Sequence, residues 1–485
     1  MPAASAETPP TWRFPLVVAV VLAARLVVAA NLHLTEDEAY YRLWSMAPAF
    51  GYYDHPPMTA WWIAAGRAMV GDNALGVRLL PCLGSAATSL LVFDMARLAG
   101  GDRRTAERAG VWFNATLLVA CGGFLAVPDA PAALFWGLTL WSLLRAIRSG
   151  SLVWWLAAGV AAGLATLSKY SALFLGPGIL LWLVTSADGR RRLLSPGPWL
   201  ALIVAGGLFG VNVAWNATHH WLTFAKQFGR IAPHGFSPRY LPELVLTQAL
   251  LLNPVLVVFL ARWRPSRATP AARLFLLSSA PFAAYLMLHS LHDRVQAHWP
   301  APIYPAAAIL AAFAAARLQA PAWRWARLGV PATAIVAVLG LAALAALPPA
   351  TFARSPDLFL PLRGWRAFAD SLDATRRATG GAWIGTTSYG LASELADEPL
   401  RAPVIQIAER ERWRGPTTGP APRLDQPGLV VDLTRRLDPT RLRTCFADVR
   451  FLGDTPRGAA GEKPKLYGVY RVAGPRRDVI RDGCW

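Results

Sequence analysis

Acidic and basic side chains gather in a few short stretches of this chain, and their types suit proton transfer beside a charged leaving group. Thr35-Glu36-Asp37-Glu38 is the densest acidic cluster of the first half. Tyr52-Tyr53-Asp54-His55-Pro56-Pro57 sets an acid beside an imidazole, ahead of a double proline that stiffens the backbone. Asp129 is held between Pro128 and Pro131, and Lys169, in Ser168-Lys169-Tyr170, is a compact cation in a chain that nearly always uses Arg. The stretch 292–300 adds Arg294, His292 and His298, and Trp215-Asn216-Ala217-Thr218-His219-His220-Trp221 adds a histidine pair. A carboxylate such as Asp37 can accept the proton of an attacking hydroxyl. Cations such as Lys169 and Arg294, with His55 assisting, can hold an oxyanion whose charge grows as a bond breaks.

Plainer readings stand beside these. Thr35-x-x-Glu38 has capping-box spacing, which accounts for Glu38 as a cap. Glu36 is then a solvated first-turn acid, favoured by the helix dipole by about 0.3–1 kcal/mol. Asp37 is left without a separate structural task. The apolar residues that follow, Ala39 to Ala47, predict a helix lying along a membrane surface. Lys169 can also snorkel to an interface. Asp54, His55, His219, His220 and His298 are ligand types, yet no tight spacing such as H-E-x-x-H joins them. The expectation is no required cofactor, with a divalent cation at Asp54 and His298 left open. Asn114 and Asn216 begin N-x-T sequons, the first inside an apolar stretch.

The elements that must position these groups are membrane helices. Of 485 residues, 54% are hydrophobic and 16% charged, too apolar for an ordinary soluble domain. Apolar stretches of spanning length, roughly 17–25 residues, predict about eleven spans: 14–31, 76–98, 108–126, 131–147, 152–168, 170–186, 198–216, 241–261, 273–290, 301–317 and 328–347. Arg-rich connections at 103–104, 145–148, 190–192, 262–267 and 324–327 alternate with Arg-poor ones, so the former are read as cytoplasmic. An odd span count then puts the amino terminus inside and the carboxyl-terminal region outside. An uncleaved first helix fits better than a signal peptide, because the leading region is nearly uncharged and further spans follow. On this topology all eight histidines, His33, His55, His219, His220, His234, His289, His292 and His298, face the outer side. Titratable groups gathered at one surface suit an interfacial enzyme better than a pump. The net charge of +19 is largely topological arginine. With no basic stripe carrying interleaved aromatics, nucleic acid is not an expected partner.

Two regions follow: a transmembrane domain over 1–349, with outer loops 32–75, 127–131, 217–240 and 291–300, and a small extracytoplasmic α/β domain over 350–485. In the latter, strand-like runs at 382–385, 403–407 and 428–433 are separated by helical patterns at 362–378 and 389–396, and 414–427 is read as a loop. Cys82 and Cys121 fall within spans. Cys445 and Cys484 are the only two cysteines of an oxidised compartment, so a disulfide is expected, with two unpaired thiols as the alternative.

Six motifs in order, E-D-E-A-Y-Y (36–41), G-Y-Y-D-H-P-P-M-T-A-W (51–61), V-P-D-A-P (127–131), S-K-Y (168–170), W-N-A-T-H-H-W (215–221) and H-W-P-A-P-I-Y-P (298–305), resemble membrane glycosyltransferases of the GT-C fold. The resembled family includes protein O-mannosyltransferases and lipid A aminoarabinose transferases (family 39-like). Y-G-L-A-S-E-L-A (389–396) resembles the soluble domain of bacterial members. The resemblance implies a polyprenyl-phosphate sugar donor, a lipid, glycan or protein acceptor, and work at the outer face of the cytoplasmic membrane. It implies Asp37 and Asp129 as catalytic acids and Lys169 near the donor phosphate. It also matches Asp54 and His55 to the next loop's acidic and basic pair, although aminoarabinose transferases carry lysine where this chain has His55. The rival expectations are a polytopic transporter or flippase, or a ligase of lipid-linked glycans.

Overall fold

The computed structural model describes residues 12–229, 235–264, 269–348, 351, 358–413, 422–458 and 463–484. It forms two compact units: Met1–Ala30 with His55–Thr59 and Arg78–Leu341, and Asn31–Asp54 with Ala60–Val77 and Ala342–Trp485. Most of the first outer segment is thus grouped with the carboxyl-terminal region.

The first unit is helical. Among the described residues of the whole chain, six helices are long and apolar enough to cross a bilayer: Arg13–Asn31, Ala74–Leu98, Asp129–Ser149, Pro196–Thr218, Pro270–His289 and Ala322–Ala346. The other five expected spans are shorter or broken. The stretch 108–126 divides into helices Arg103–Asn114 and Leu117–Gly122, with the Thr116 hydroxyl turned back onto the Phe113 carbonyl. Leu152–Ser168 and Ala301–Arg317 are apolar but short, while 170–193 and 240–261 contain bends of 110° and 104°. The second bend is at Asn253-Pro254, where Asn253 adopts φ +85 and its amide donates to the Ala115 and Val330 carbonyls. Proline cannot supply the N–H that would continue the helix, and the Leu250 carbonyl accepts the Asn253 backbone N–H at 2.9 Å instead.

Helices approach closely where side chains are small, as membrane interfaces require. A Cβ on Gly159 would lie 2.6 Å from the Ala201 carbonyl oxygen. On the outside, Leu202, Ile203, Val336 and Leu339 are exposed, an apolar surface that hydrocarbon solvates and water does not. This is a multi-pass membrane protein.

The second unit contains a five-stranded sheet: β1 (Trp383–Thr386), β2 (Val404–Gln406), β3 (Gly428–Leu433), β4 (Phe446–Arg457) and β5 (Lys465–Pro475), in the order β2-β1-β3-β5-β4. β1 pairs in parallel with β2 and β3, and β5 pairs antiparallel with β3 and β4. Side chains alternate across a strand, so central β3 serves two cores. Leu429 and Val431 pack with Trp365, Phe368 and Leu372 of helix Trp365–Ala378, while Val430 packs with Trp383, Leu442 and Phe446. Gly428 is required there, since a Cβ would fall 2.2 Å from the Trp383 ring. The structure joins Cys445 to Cys484, with Cα atoms 5.5 Å apart.

Helix Glu36–Met46 also belongs to this unit. Its apolar face, expected on a membrane surface, is turned to protein: Tyr40 lies 4.9 Å from Tyr389, ring centre to centre, and Tyr40, Tyr41, Leu43 and Trp44 are buried. Arg42 and Arg67 both clasp Asp72 at 2.7 Å. Partial burial opposes its charge, but the two guanidiniums outweigh it and hold the Asp72 carboxyl down at about 2.

Candidate active site

The capping box divides the labour of the acidic cluster. The Thr35 hydroxyl accepts the Glu38 N–H at 3.3 Å, and the Glu38 carboxylate accepts the Thr35 N–H at 3.0 Å. Glu38 is fully buried by this task. Asp37, one residue earlier, is exposed on the first turn, where the helix dipole favours its charge. The Tyr389 hydroxyl donates to Asp37 Oδ1 at 3.1 Å. Burial, and then the charge of Asp37, push the Tyr389 phenol above its ordinary range, so it stays a donor.

Behind Tyr389 stands a buried ion pair. Asp54 accepts from the Tyr40 hydroxyl at 3.0 Å and from the Arg412 guanidinium, which also donates to Glu409 at 2.6 Å. The guanidinium lies over the Tyr389 ring at 4.3 Å and the Tyr53 ring at 5.1 Å, a cation–π sandwich. Burial works against the Arg412 charge, but Asp54 outweighs it and raises the pKa. Tyr389 is thereby fixed from behind while its hydroxyl meets Asp37. The sequence reading found Asp37 and Asp54 but missed Tyr389 and Arg412. They lie over 350 positions away, and the only hint was the 389–396 resemblance.

The first unit brings a second set together. Lys169, capping the carboxyl end of helix Leu152–Ser168, donates to Asp129 Oδ1 at 2.7 Å. Both are buried. His298 Nε2 is 3.6 Å from Asp129 Oδ2, and the ammonium is 5.9 Å from the Trp299 ring centre. Asp129 begins helix Asp129–Ser149, the positive end of its dipole. A buried ammonium and carboxylate beside a partly exposed imidazole form a site that can exchange its internal partner for a phosphate oxygen. Arg294 is placed elsewhere, in an exposed pair with Glu243 at 2.7 Å. His55 is half-buried in the bend at 53–55.

The W-N-A-T-H-H-W segment is a structural clasp. Asn216 is buried; its backbone carbonyl accepts the Trp221 N–H at 2.8 Å and its side chain accepts the Thr223 N–H at 3.2 Å. The loop closes through left-handed His220 (φ +55) and Trp221 (φ +56). His219 stacks on Trp215 with centroids 4.0 Å apart. Among the described residues, no group of three or more His, Cys, Asp or Glu side chains is arranged to hold a metal ion. His234 lies outside the described residues.

Residues 54–215 match the family model for dolichyl-phosphate-mannose-protein mannosyltransferase. The chain is 28% identical over 303 residues to the lipid A galacturonosyltransferase RgtD of Rhizobium johnstonii, covering 59% of this chain and 62% of that protein. It is 30% identical over 162 residues to the undecaprenyl phosphate-alpha-4-amino-4-deoxy-L-arabinose arabinosyl transferase of Pseudomonas aeruginosa, 32% of this chain and 28% of the relative. The chain thus spans less than two thirds of the length of either relative. In three dimensions it resembles ArnT from Cupriavidus metallidurans bound to undecaprenyl phosphate, with TM-score 0.64 and 18% identity over 95% of this chain and 98% of that one. The chain therefore has the fold of this ArnT structure, the GT-C fold expected from the sequence motifs.

Proposed function

We propose that the chain is an integral membrane glycosyltransferase. It moves a sugar from a polyprenyl-phosphate donor to a hydroxyl of a lipid, glycan or protein acceptor at the outer face of the cytoplasmic membrane. The observation that carries this reading is the separation of Asp37 from Glu38: one acid closes the capping box, the other is exposed and fixed by Tyr389. The names of the relatives support the donor class and favour a lipid A-type acceptor.

In this reaction the acceptor oxygen bonds to the anomeric carbon as the bond from that carbon to the lipid phosphate breaks. The acceptor proton passes to Asp37, and the bonding pair leaves with the phosphate. Lys169 holds that phosphate, whose charge grows during departure, with Asp129 and His298 setting the ammonium's position. Arg294 and His55 are further candidates for phosphate contact. Asp54 acts through Arg412 and Tyr389, as a positioning residue. The disulfide of Cys445 and Cys484 suits a carboxyl-terminal region outside the cytoplasm.

Purified chain in lipid nanodiscs, given donor labelled in its sugar and a lipid A acceptor, should release free polyprenyl phosphate and label the acceptor in equal amounts. In sealed vesicles, passage of intact labelled donor across the bilayer without cleavage would support the flippase reading instead.

A further inference from the structure

A cavity of about 1100 Å³ opens in the second unit beside the acidic cluster. Glu36 and Tyr389 form one part of its lining, and Arg435, Arg436, Lys463 and Lys465 form another. The cation pairs are brought together by strand register. Arg435 and Arg436 occupy the turn leaving β3, while Lys463-Pro464-Lys465 leads into β5. β3 and β5 are antiparallel with Leu433 opposite Tyr467, and the Thr434 N–H donates to the Leu466 carbonyl at 3.1 Å, so the two pairs face one opening.

Of the two acids that line the cavity, Asp432 is committed to donors of the fold, and the charge of Glu36 offsets Lys465 only in part. Asp432 is fully buried and accepts the Thr387 N–H at 3.1 Å, the Thr387 hydroxyl at 2.6 Å and the Leu433 N–H at 2.7 Å. Among the described residues, none of the four cations is in an ion pair. Partial burial, and then the charge of Arg457 with smaller contributions from Arg435 and Arg436, depress the Lys465 ammonium against the opposing charge of Glu36. Crowded like charges of this kind are relieved by a bound anion. The volume exceeds the few hundred Å³ needed for a small-molecule ligand. Tyr389 links the cavity to chemistry, since its ring lines the space while its hydroxyl holds Asp37.

We propose that this cavity receives a phosphate-bearing saccharide headgroup of the acceptor, with a phosphomonoester held between the Arg435-Arg436 turn and the Lys463-Pro464-Lys465 segment. The proposal rests on the glycosyl-transfer reading above and gives its acceptor a chemical class and a place. The phosphate is bound and not transferred, so it fixes which hydroxyl is presented to Asp37.

The test uses the full chain in nanodiscs. The probes are a lipid with a bisphosphorylated glucosamine disaccharide headgroup, the same lipid with both phosphates removed, and inorganic phosphate. The parent should bind the phosphorylated lipid about tenfold or more tightly than the dephosphorylated one, the scale of a lost charge-assisted contact. Combined Arg435→Gln, Arg436→Gln, Lys463→Gln and Lys465→Gln should erase that preference, with thermal unfolding and the KM for donor unchanged. Arg443→Gln with Arg450→Gln, a control at exposed positions, should retain it. A preference that survives the fourfold change, or that is absent in the parent, overturns the proposal. Inorganic phosphate competing as well as the isolated headgroup would assign the site to free anion and overturn it too. A chain that shows the preference but transfers no sugar would sink the glycosyl-transfer reading and leave the binding site standing.

Discussion

Asp37 and Glu38 are neighbours of nearly identical chemistry, and the fold gives them different environments. A buried carboxylate that accepts two donors from Thr35 is tied to the fold. An exposed one that accepts from the Tyr389 phenol can still take a proton. Removing that donor should make Asp37 more basic, because a hydrogen bond to the charged form lowers a carboxyl pKa. Tyr389→Phe is therefore expected to cost roughly tenfold in kcat/KM, on the scale of one charge-assisted hydrogen bond. It should also move the acidic limb of the pH–rate profile upward. A lower rate with an unmoved limb would reduce Tyr389 to a packing residue. Lys169 is tested against its internal partner. Lys169→Ala should raise the KM for donor and lower stability, since buried Asp129 loses its ammonium partner. Adding Asp129→Asn should restore the unfolding temperature but not the donor KM. Recovery of both would leave the lysine as a mere counter-ion. At this scale the local signals were legible, because a capping box is written in four consecutive residues. Arg412 was not, since nothing in its Arg- and Glu-rich surroundings marks it as the partner of Asp54.

Helix Tyr389–Asp397 presents Tyr389 near one end and Glu394 near the other. Glu394 meets His33 at 2.8 Å. Burial pushes the Glu394 carboxyl up to about 7, despite the hydrogen bond and charge of His33. Burial lowers the His33 pKa, but Glu394, with Asp397 and Glu398, outweighs it and the net direction is upward. Both groups thus hold protons in the folded chain at pH values where the unfolded chain has released them. Their stabilisation is greatest at low pH and is lost as pH rises through 7. The unfolding temperature should fall between pH 5 and 8, and Glu394→Gln should flatten that slope. An unchanged slope would place the titrating group elsewhere. This helix and the first three strands were visible in the sequence because apolar β-branched runs alternate with helical patterns. The hairpin of β4 and β5 was not. Most β4 residues are exposed or half-exposed, with Asp448, Arg450, Gly453 and Pro456 interrupting any two-residue alternation. Its register also shifts between Phe451 and Gly453.

Across the molecule, hydropathy located the apolar stretches, but helix continuity depends on groups that hydropathy does not weigh. Asn253-Pro254 bends one stretch, and Thr116, its hydroxyl donating back to the Phe113 carbonyl, stands at the break within another. Arginine alternation remains the basis for orientation, and it predicts that a reporter after residue 349 is active only outside the cytoplasm, while one after Arg192 is active only inside. The opposite pattern would invert the proposed side of catalysis. The central claim is that this chain transfers a lipid-phosphate-linked sugar using the carboxylate of Asp37. Its most direct test is the rate of sugar transfer by purified parent, Asp37→Asn and Glu38→Gln in nanodiscs, at matched folding and donor concentration. The account predicts transfer by the parent, none above background for Asp37→Asn, and substantial activity for Glu38→Gln, whose amide still closes the capping box. Equal losses in both variants, or full activity in Asp37→Asn, would contradict it.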